Sequence, residues 1–192
     1  MQQRFGLYGG AFNPVHLGHL LVAQAAVEEL ELDRLFFIPA FQSPFKQGTP
    51  PAPAEMRLRW LRLALAGKTN YAVDDQEIRR GGVSYTIETV RDYAKKFTHA
   101  KLFCLIGADN VPTLNKWAES TELAKLAEFA AIPRLGKTAV EFPQPFQGRM
   151  LKGFPLEISS SEIRARVQAG QPIDTMVPPF VAEAIRDAGV YL

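Results

Sequence analysis

Cysteine is almost absent: Cys104 stands alone in 192 residues. No internal disulfide can form, and a lone thiol inside an apolar run reads as a small buried hydrophobe in a reducing compartment. No stretch approaches the ~18 consecutive apolar residues of a membrane-spanning helix. The first residues carry no apolar region of a secretory signal, so a cytoplasmic protein is expected. Excess charge is small. A formal net charge of +2 makes no electrostatic case for nucleic acid or a membrane surface as partner. Repeats and low-complexity tracts are missing. No carboxylate cluster has metal-ligand spacing, so no protein-held metal is expected. What is present is ordinary for a globular protein, with 47% hydrophobic and 22% charged residues. The expectation is one α/β domain over residues 1–192, with a core in 1–155 and a C-terminal strand and helices in 156–192.

One stretch stands out: Gly9-Gly10-Ala11-Phe12-Asn13-Pro14-Val15-His16-Leu17-Gly18-His19-Leu20. A short apolar run, Phe5 to Tyr8, precedes it, and a helical pattern follows. The order is strand, glycine-rich turn, helix start. Gly9 and Gly10 would allow positive φ and a close backbone approach to a ligand. Pro14 suits the entry to a helix. His16 and His19, three apart, would share one helix face. Gly18 would leave room for a phosphate. Backbone N–H groups at the helix start and the helix dipole favour an anion there. Two imidazoles could then donate to a phosphoryl oxygen as its charge grows. The run is not a Walker A loop and lacks the GxGxxG order of a dinucleotide-binding turn.

Further along, Leu35 to Ile38 is a continuous apolar run, as in a strand covered on both faces. Strand, helix and strand in this spacing form a βαβ unit with a parallel sheet. The turn at 9–16 then lies at the carboxyl end of the first strand, where such sheets bind ligands. Residues 40–53 read as a loop, 54–66 as a helix and 71–73 as a strand. Residues 77–82 read as a charged loop, and 84–97 as a helix with Ser84 as candidate N-cap. Lys101 to Ile106 is an interior strand. Short helices over 111–117 and 120–126 and a strand over 129–132 follow. Residues 133–155 read as an irregular crossover, 156–158 as a last strand, and 160–169 and 179–188 as helices. Arg57, Arg59 and Arg62 read as a solvated helix face.

Ile158-Ser159-Ser160-Ser161-Glu162-Ile163-Arg164 comes second in weight. Ser159 and Glu162 have capping-box spacing. Three serines and an arginine one turn inside the helix go beyond a cap. Hydroxyls, free N–H groups and a guanidinium make a polyphosphate cradle. Asp109 ends a central strand, and an Asx-turn role and a ribose-binding role are equally open. Trp117 reads first as a half-buried core aromatic and second as a stacking face. The start of the helix at Ser84-Tyr85-Thr86 could hold a carboxylate on its free N–H groups.

The first stretch resembles the GxFxPxHxGH signature of the HxGH nucleotidyltransferase superfamily, and 158–164 resembles its ISSTxIR motif. Residues 77–89 and 105–117 resemble the ExxRxGxSYTxxT and LIGxDxxxxLxxW patterns of the bacterial nicotinate-mononucleotide adenylyltransferases. The likeness spans residues 6–164 and continues loosely into Val190-Tyr191. It implies a Rossmann-like nucleotidyltransferase fold: a parallel sheet flanked by helices with a small helical C-terminal part. The implied reaction joins ATP and nicotinate mononucleotide into deamido-NAD (nicotinic acid adenine dinucleotide) and pyrophosphate, a step of NAD biosynthesis. The implied catalytic residues are His16 and His19. ATP would meet Gly9, Gly10, Ala11, Phe12, His16, His19, Gly107, Asp109, Ser159, Ser160 and Arg164. The mononucleotide would meet Lys46, Ser84, Tyr85, Thr86, Trp117 and Arg134, although Arg134 also reads as a surface residue. Phe45 stands where the family pattern has a histidine. Mg²⁺ would arrive on the ATP phosphates. Nicotinamide mononucleotide, or another phosphorylated acceptor, is the alternative substrate. A silent nucleotide-sensing module is the alternative class. A homo-oligomer is left open.

Overall fold

The strands are short and apolar, and the chain returns to the same sheet after each helix. The computed structural model describes residues 2–44, 51–133, 140–154 and 156–191. Strands β1 (Arg4–Gly10), β2 (Arg34–Pro39), β3 (Tyr71–Val73), β4 (Lys101–Gly107), β5 (Glu128–Ile132) and β6 (Gly148–Met150) form one sheet in the order β3-β2-β1-β4-β5-β6. Every neighbouring pair is parallel.

Helices cover both faces. On one side lie α1 (Leu17–Glu29), α2 (Ala54–Leu65), α6 (Ser160–Gln168) and α7 (Pro179–Asp187), packed through Ala23, Ala26, Trp60, Leu61, Ile163 and Val181. On the other lie α4 (Thr86–Lys96), a 3₁₀ helix (Ala108–Lys116) and α5 (Ser120–Leu126), packed through Ile87, Val90, Leu114 and Leu123. Strand β4 shows why its sequence is apolar without a break. Phe103 and Leu105 enter the first cluster, and Leu102, Cys104 and Ile106 enter the second. Cys104 is buried, as expected.

Chain order reverses between β1 and β4, which are hydrogen-bonded neighbours although a long stretch of chain separates them. In open parallel sheets the crevice at such a point, outside the carboxyl ends of the strands, is where ligands bind. Among the described residues no helix is long and apolar enough to cross a membrane.

Several local expectations are corrected. Residues expected as a loop over 77–82 include a short helix, α3 (Gln76–Arg80). Residues 148–150, expected to be irregular, are the edge strand β6; Gly148 and Arg149 are exposed, so no apolar alternation announces it. The expected strand over 156–158 is absent: Leu156 is 45% exposed, and Ile158 packs on the core without joining the sheet. Ser84 does not cap α4; Tyr85 occupies that position. The helix expected over 111–117 is a 3₁₀ helix that begins three residues earlier.

Candidate active site

The glycine-rich turn follows β1 directly, and Gly9 and Gly10 complete the strand. Neither has positive φ. That conformation falls on Phe12 instead, at φ 45°. A left-handed phenylalanine costs about 1–3 kcal/mol. Its ring is buried and packs edge-on against Tyr8 at 5.5 Å and His19 at 5.0 Å, and against Phe37 at 5.6 Å. Burial of that ring holds the turn in place, so only the backbone of Phe12 is available to a ligand.

His16 is the N-cap of α1, and His19 lies in its first turn. Their rings stack with centroids 3.7 Å apart, tilted by 34°. The backbone N–H of His16 donates to His19 Nδ1 at 3.2 Å. An accepting Nδ1 leaves the proton of neutral His19 on Nε2, which is therefore a donor. Burial pushes the His16 imidazole down to about 4. Burial, then the adjacent His16, pushes His19 well below the usual histidine range. Both rings are neutral at pH 7. His16 Nδ1 is buried without a hydrogen-bond partner among the described residues. Gly18 makes room for this ring rather than for a phosphate: a Cβ there would lie 3.0 Å from His16 Cε1 and Nδ1.

The helix start is less bare than the sequence suggests. The Leu17 N–H donates to Met176 O at 3.0 Å, and the His19 N–H donates to His16 O at 2.9 Å. These two N–H groups are therefore already engaged and are not open to an anion.

The second motif reaches the first. Ser160 Oγ donates to Pro14 O at 2.9 Å, and Arg164 Nη1 donates to Asn13 O at 2.9 Å. Arg164 Nη2 donates to Ser161 Oγ at 3.1 Å. Ser159 Oγ accepts from the Glu162 N–H at 3.1 Å, the cap its sequence implied. Asn13 Oδ1 accepts from the Ala52 N–H at 3.0 Å and from the Tyr191 hydroxyl. Gly107 and Asp109 lie at the carboxyl end of β4, next to the turn after β1.

Of the remaining predicted residues, Ser84 meets the segment that follows β2. Ser84 Oγ accepts from the Phe41 N–H at 2.9 Å, so a tertiary partner has taken the hydroxyl that looked like a helix cap. Its own proton goes to Glu77, a buried carboxylate raised by burial and held down in part by Thr89 and Ser84. Thr89 Oγ1 donates to Glu77 at 2.6 Å. Tyr85 is exposed at the start of α4. Trp117 is half-buried, its indole donating to Thr113 Oγ1 at 3.3 Å and packing on the cluster that holds Ile87. Lys46 and Arg134 lie outside the described residues, as does Phe45. Among the described residues no group of three His, Cys, Asp or Glu side chains could hold a metal ion.

Three residues were missed or misread. Arg57, expected on a solvated face, is 1% exposed and bonded to four carbonyls. It heads the buried stripe Arg57, Trp60, Leu61, Ala64, and that i, i+3, i+4, i+7 spacing was the signal available in the sequence. Arg59 and Arg62 are exposed as expected. Asn13 is bonded to residues far away in sequence, whereas Glu77 opens the 77–89 stretch and finds its partners, Ser84 and Thr89, within it; neither was given a role from the sequence.

Residues 7–166 match the family model described as Cytidylyltransferase-like. A relative from Opitutus terrae, named as a probable nicotinate-nucleotide adenylyltransferase, is 38% identical over 191 residues, 98% of this chain and 97% of its own. Another of that name, from Gemmatimonas aurantiaca, is 38% identical over 195 residues, 98% of this chain and 92% of its own. Among solved structures, the Plasmodium falciparum nicotinic acid mononucleotide adenylyltransferase complexed with NaAD has a TM-score of 0.81 at 17% identity. It covers 99% of this chain and 98% of that one, and bears on the fold alone. Matched by that model and by relatives of this similarity over nearly its whole length, the chain belongs to the nicotinate-nucleotide adenylyltransferases of the cytidylyltransferase-like family.

Proposed function

We infer that the chain is an adenylyltransferase that joins ATP and nicotinate mononucleotide into nicotinic acid adenine dinucleotide and pyrophosphate. An oxygen of the mononucleotide's 5′-phosphate attacks the α-phosphorus of ATP in line, and the bond to the β-phosphate oxygen breaks. The attacking group is already an anion, so no protein nucleophile is needed. Catalysis is positioning plus stabilisation of charge on the transferring group. His19 offers its Nε2–H, and His16 lies stacked beside it. Both are neutral before substrate arrives and gain basicity as phosphoryl charge builds. Ser159, Ser160 and Arg164 form the polyphosphate end. Arg164 has N–H groups beyond the two that hold Asn13 and Ser161. Gly9, Gly10, Ala11 and the Phe12 backbone face the triphosphate, and Asp109 takes the ribose.

A divalent cation, Mg²⁺, enters with the substrate on the ATP phosphates. Among the described residues no cluster of side chains fits a resident metal.

The acceptor lies against the start of α4 and Trp117. The N–H groups of the first turn of α4 favour a carboxylate over an amide. Glu88 in that turn would oppose this, but Arg80 Nη1 holds it at 3.0 Å. Lys46 and Arg134 are assigned to the mononucleotide on motif likeness alone. The reading is of a cytoplasmic enzyme, with ATP at hand.

The observation that carries this reading is the stacked histidine pair at the start of α1, joined to the phosphate motif by Ser160 and Arg164. The test is incubation with ATP, Mg²⁺ and each of nicotinate mononucleotide, nicotinamide mononucleotide and phosphopantetheine, with the adenylylated products quantified. The expected result is a tenfold or greater preference in kcat/KM for nicotinate mononucleotide, roughly the difference between a charged and a neutral acceptor at backbone donors. Equal values, or preference for the amide, refute the acceptor assignment. No product with any acceptor refutes the reading.

A further inference from the structure

We propose that Arg57 is a positioning residue that sets the catalytic turn against the acceptor-side loop. Its guanidinium is 1% exposed, yet no carboxylate among the described residues lies within ion-pairing distance. It is held by carbonyls alone. Nη1 donates to Ala11 O at 2.8 Å and to Ala40 O at 2.7 Å; Nε donates to Ala52 O at 2.9 Å; Nη2 reaches Phe41 O at 3.3 Å. These four carbonyls belong to three separate segments. Ala11 is in the histidine turn. Ala40 and Phe41 follow β2. Ala52 precedes α2.

Each segment is bonded, directly or through Asn13, to a residue assigned to substrate. Two residues beyond Ala11, Asn13 takes the Arg164 bond and the Ala52 N–H. Phe41 donates its N–H to Ser84 Oγ, and Ser84 donates its own N–H to Gln42 O at 2.9 Å. The Ala40 N–H closes the circle by donating to Gly10 O at 2.9 Å. Arg57 is thus the side chain that ties the ATP-side turn to the acceptor-side loop. Burial pulls its pKa down, the sign of a cation taken from water without an anion in exchange. A fold in need of a plug at this point would be served by a leucine in the same stripe. The planar fork instead fixes three backbone segments in one geometry.

In-line transfer is sensitive to such geometry, since displacement by about 1 Å can lower a rate 10²-fold. The inference rests on the adenylyl-transfer reading, and the experiment separates the two. Wild type, R57K and R57Q are compared for kcat, for KM toward ATP and toward nicotinate mononucleotide, and for cooperative thermal unfolding. Lysine keeps the charge but cannot hold all three segments; glutamine loses the charge as well. The expected result is folded variants with kcat lowered at least tenfold in R57K and further in R57Q, and both KM values within threefold of wild type. Inactive wild type refutes the adenylyl-transfer reading and this inference with it. Active wild type, with folded variants whose kcat stays within threefold or whose loss lies wholly in one KM, overturns the inference alone. Failure of both variants to fold also overturns it, since Arg57 would then be a structural clamp.

Discussion

Lowering the pH should destabilise this protein through its histidines, in a way a difference measurement can isolate. His16 titrates near 6.5 in an unfolded chain and is pushed down to about 4 in the fold. Below pH 6.5 the unfolded chain takes up a proton that the folded protein refuses until about pH 4. Stability from this group is therefore complete above 6.5 and is lost as pH falls through that window. The loss from His16 alone is about 2 kcal/mol at pH 5 and approaches ~3 below pH 4. His19 adds a loss of the same sign. Carboxylates titrate over the same range, so the informative quantity is a difference between variants. Urea unfolding of wild type and His16→Asn at pH 7.5 and 5.0 supplies it. Wild type should lose about 2 kcal/mol more than the variant, or somewhat more, because His19 also regains basicity once its neighbour is gone. Saturating ATP should shrink the wild-type loss, since phosphoryl oxygens favour the protonated rings. Equal losses in the two proteins would show that neither burial nor stacking sets the charge of the pair.

Four substitutions test the rest of the site. His16→Ala or His19→Ala should each lower kcat by about 10² with smaller changes in KM, as measured by initial rates; near-normal kcat in either would remove it from the transition state. Arg164→Ala should raise KM for ATP far more than KM for the mononucleotide, and an equal rise would leave it only its bonds to Asn13 and Ser161. Gly18→Ala places a methyl 3.0 Å from the His16 ring and should lower kcat without abolishing folding; an unchanged rate would mean the ring is free to move.

The histidine turn, the phosphate motif and the interior strands were legible because each is a contiguous string whose local pattern matches its structure. Strand β4 carries its own apolar run, and Ser159 caps the helix it precedes. What was not legible depends on residues far apart. Ser84 is a good helix cap by local chemistry, but Phe41, 43 residues earlier, competes for its oxygen. Arg57 looks solvated as a residue type and is buried because three loops converge on it. Strand β6 is defined by what β5 offers at its edge, so its own residues say little. The run 156–158 has strand composition without a strand to pair with. The Gly9-Gly10 pair misled in a finer way: it suggested positive φ where the chain has extended backbone, and aromatic packing moved the turn to Phe12.

The contacts that close the turn have a consequence for the order of assembly. Pro14 is joined to Ser160 across 146 positions, and Asn13 to Arg164 across 151 and to Tyr191 across 178. A chain made from its N-terminus exposes β1 and both histidines first, and closes those contacts last. Long-range closure of this kind comes late in folding. A ribosome-bound chain therefore carries the most recognisable motif of its family for most of its synthesis while the centre stays incomplete.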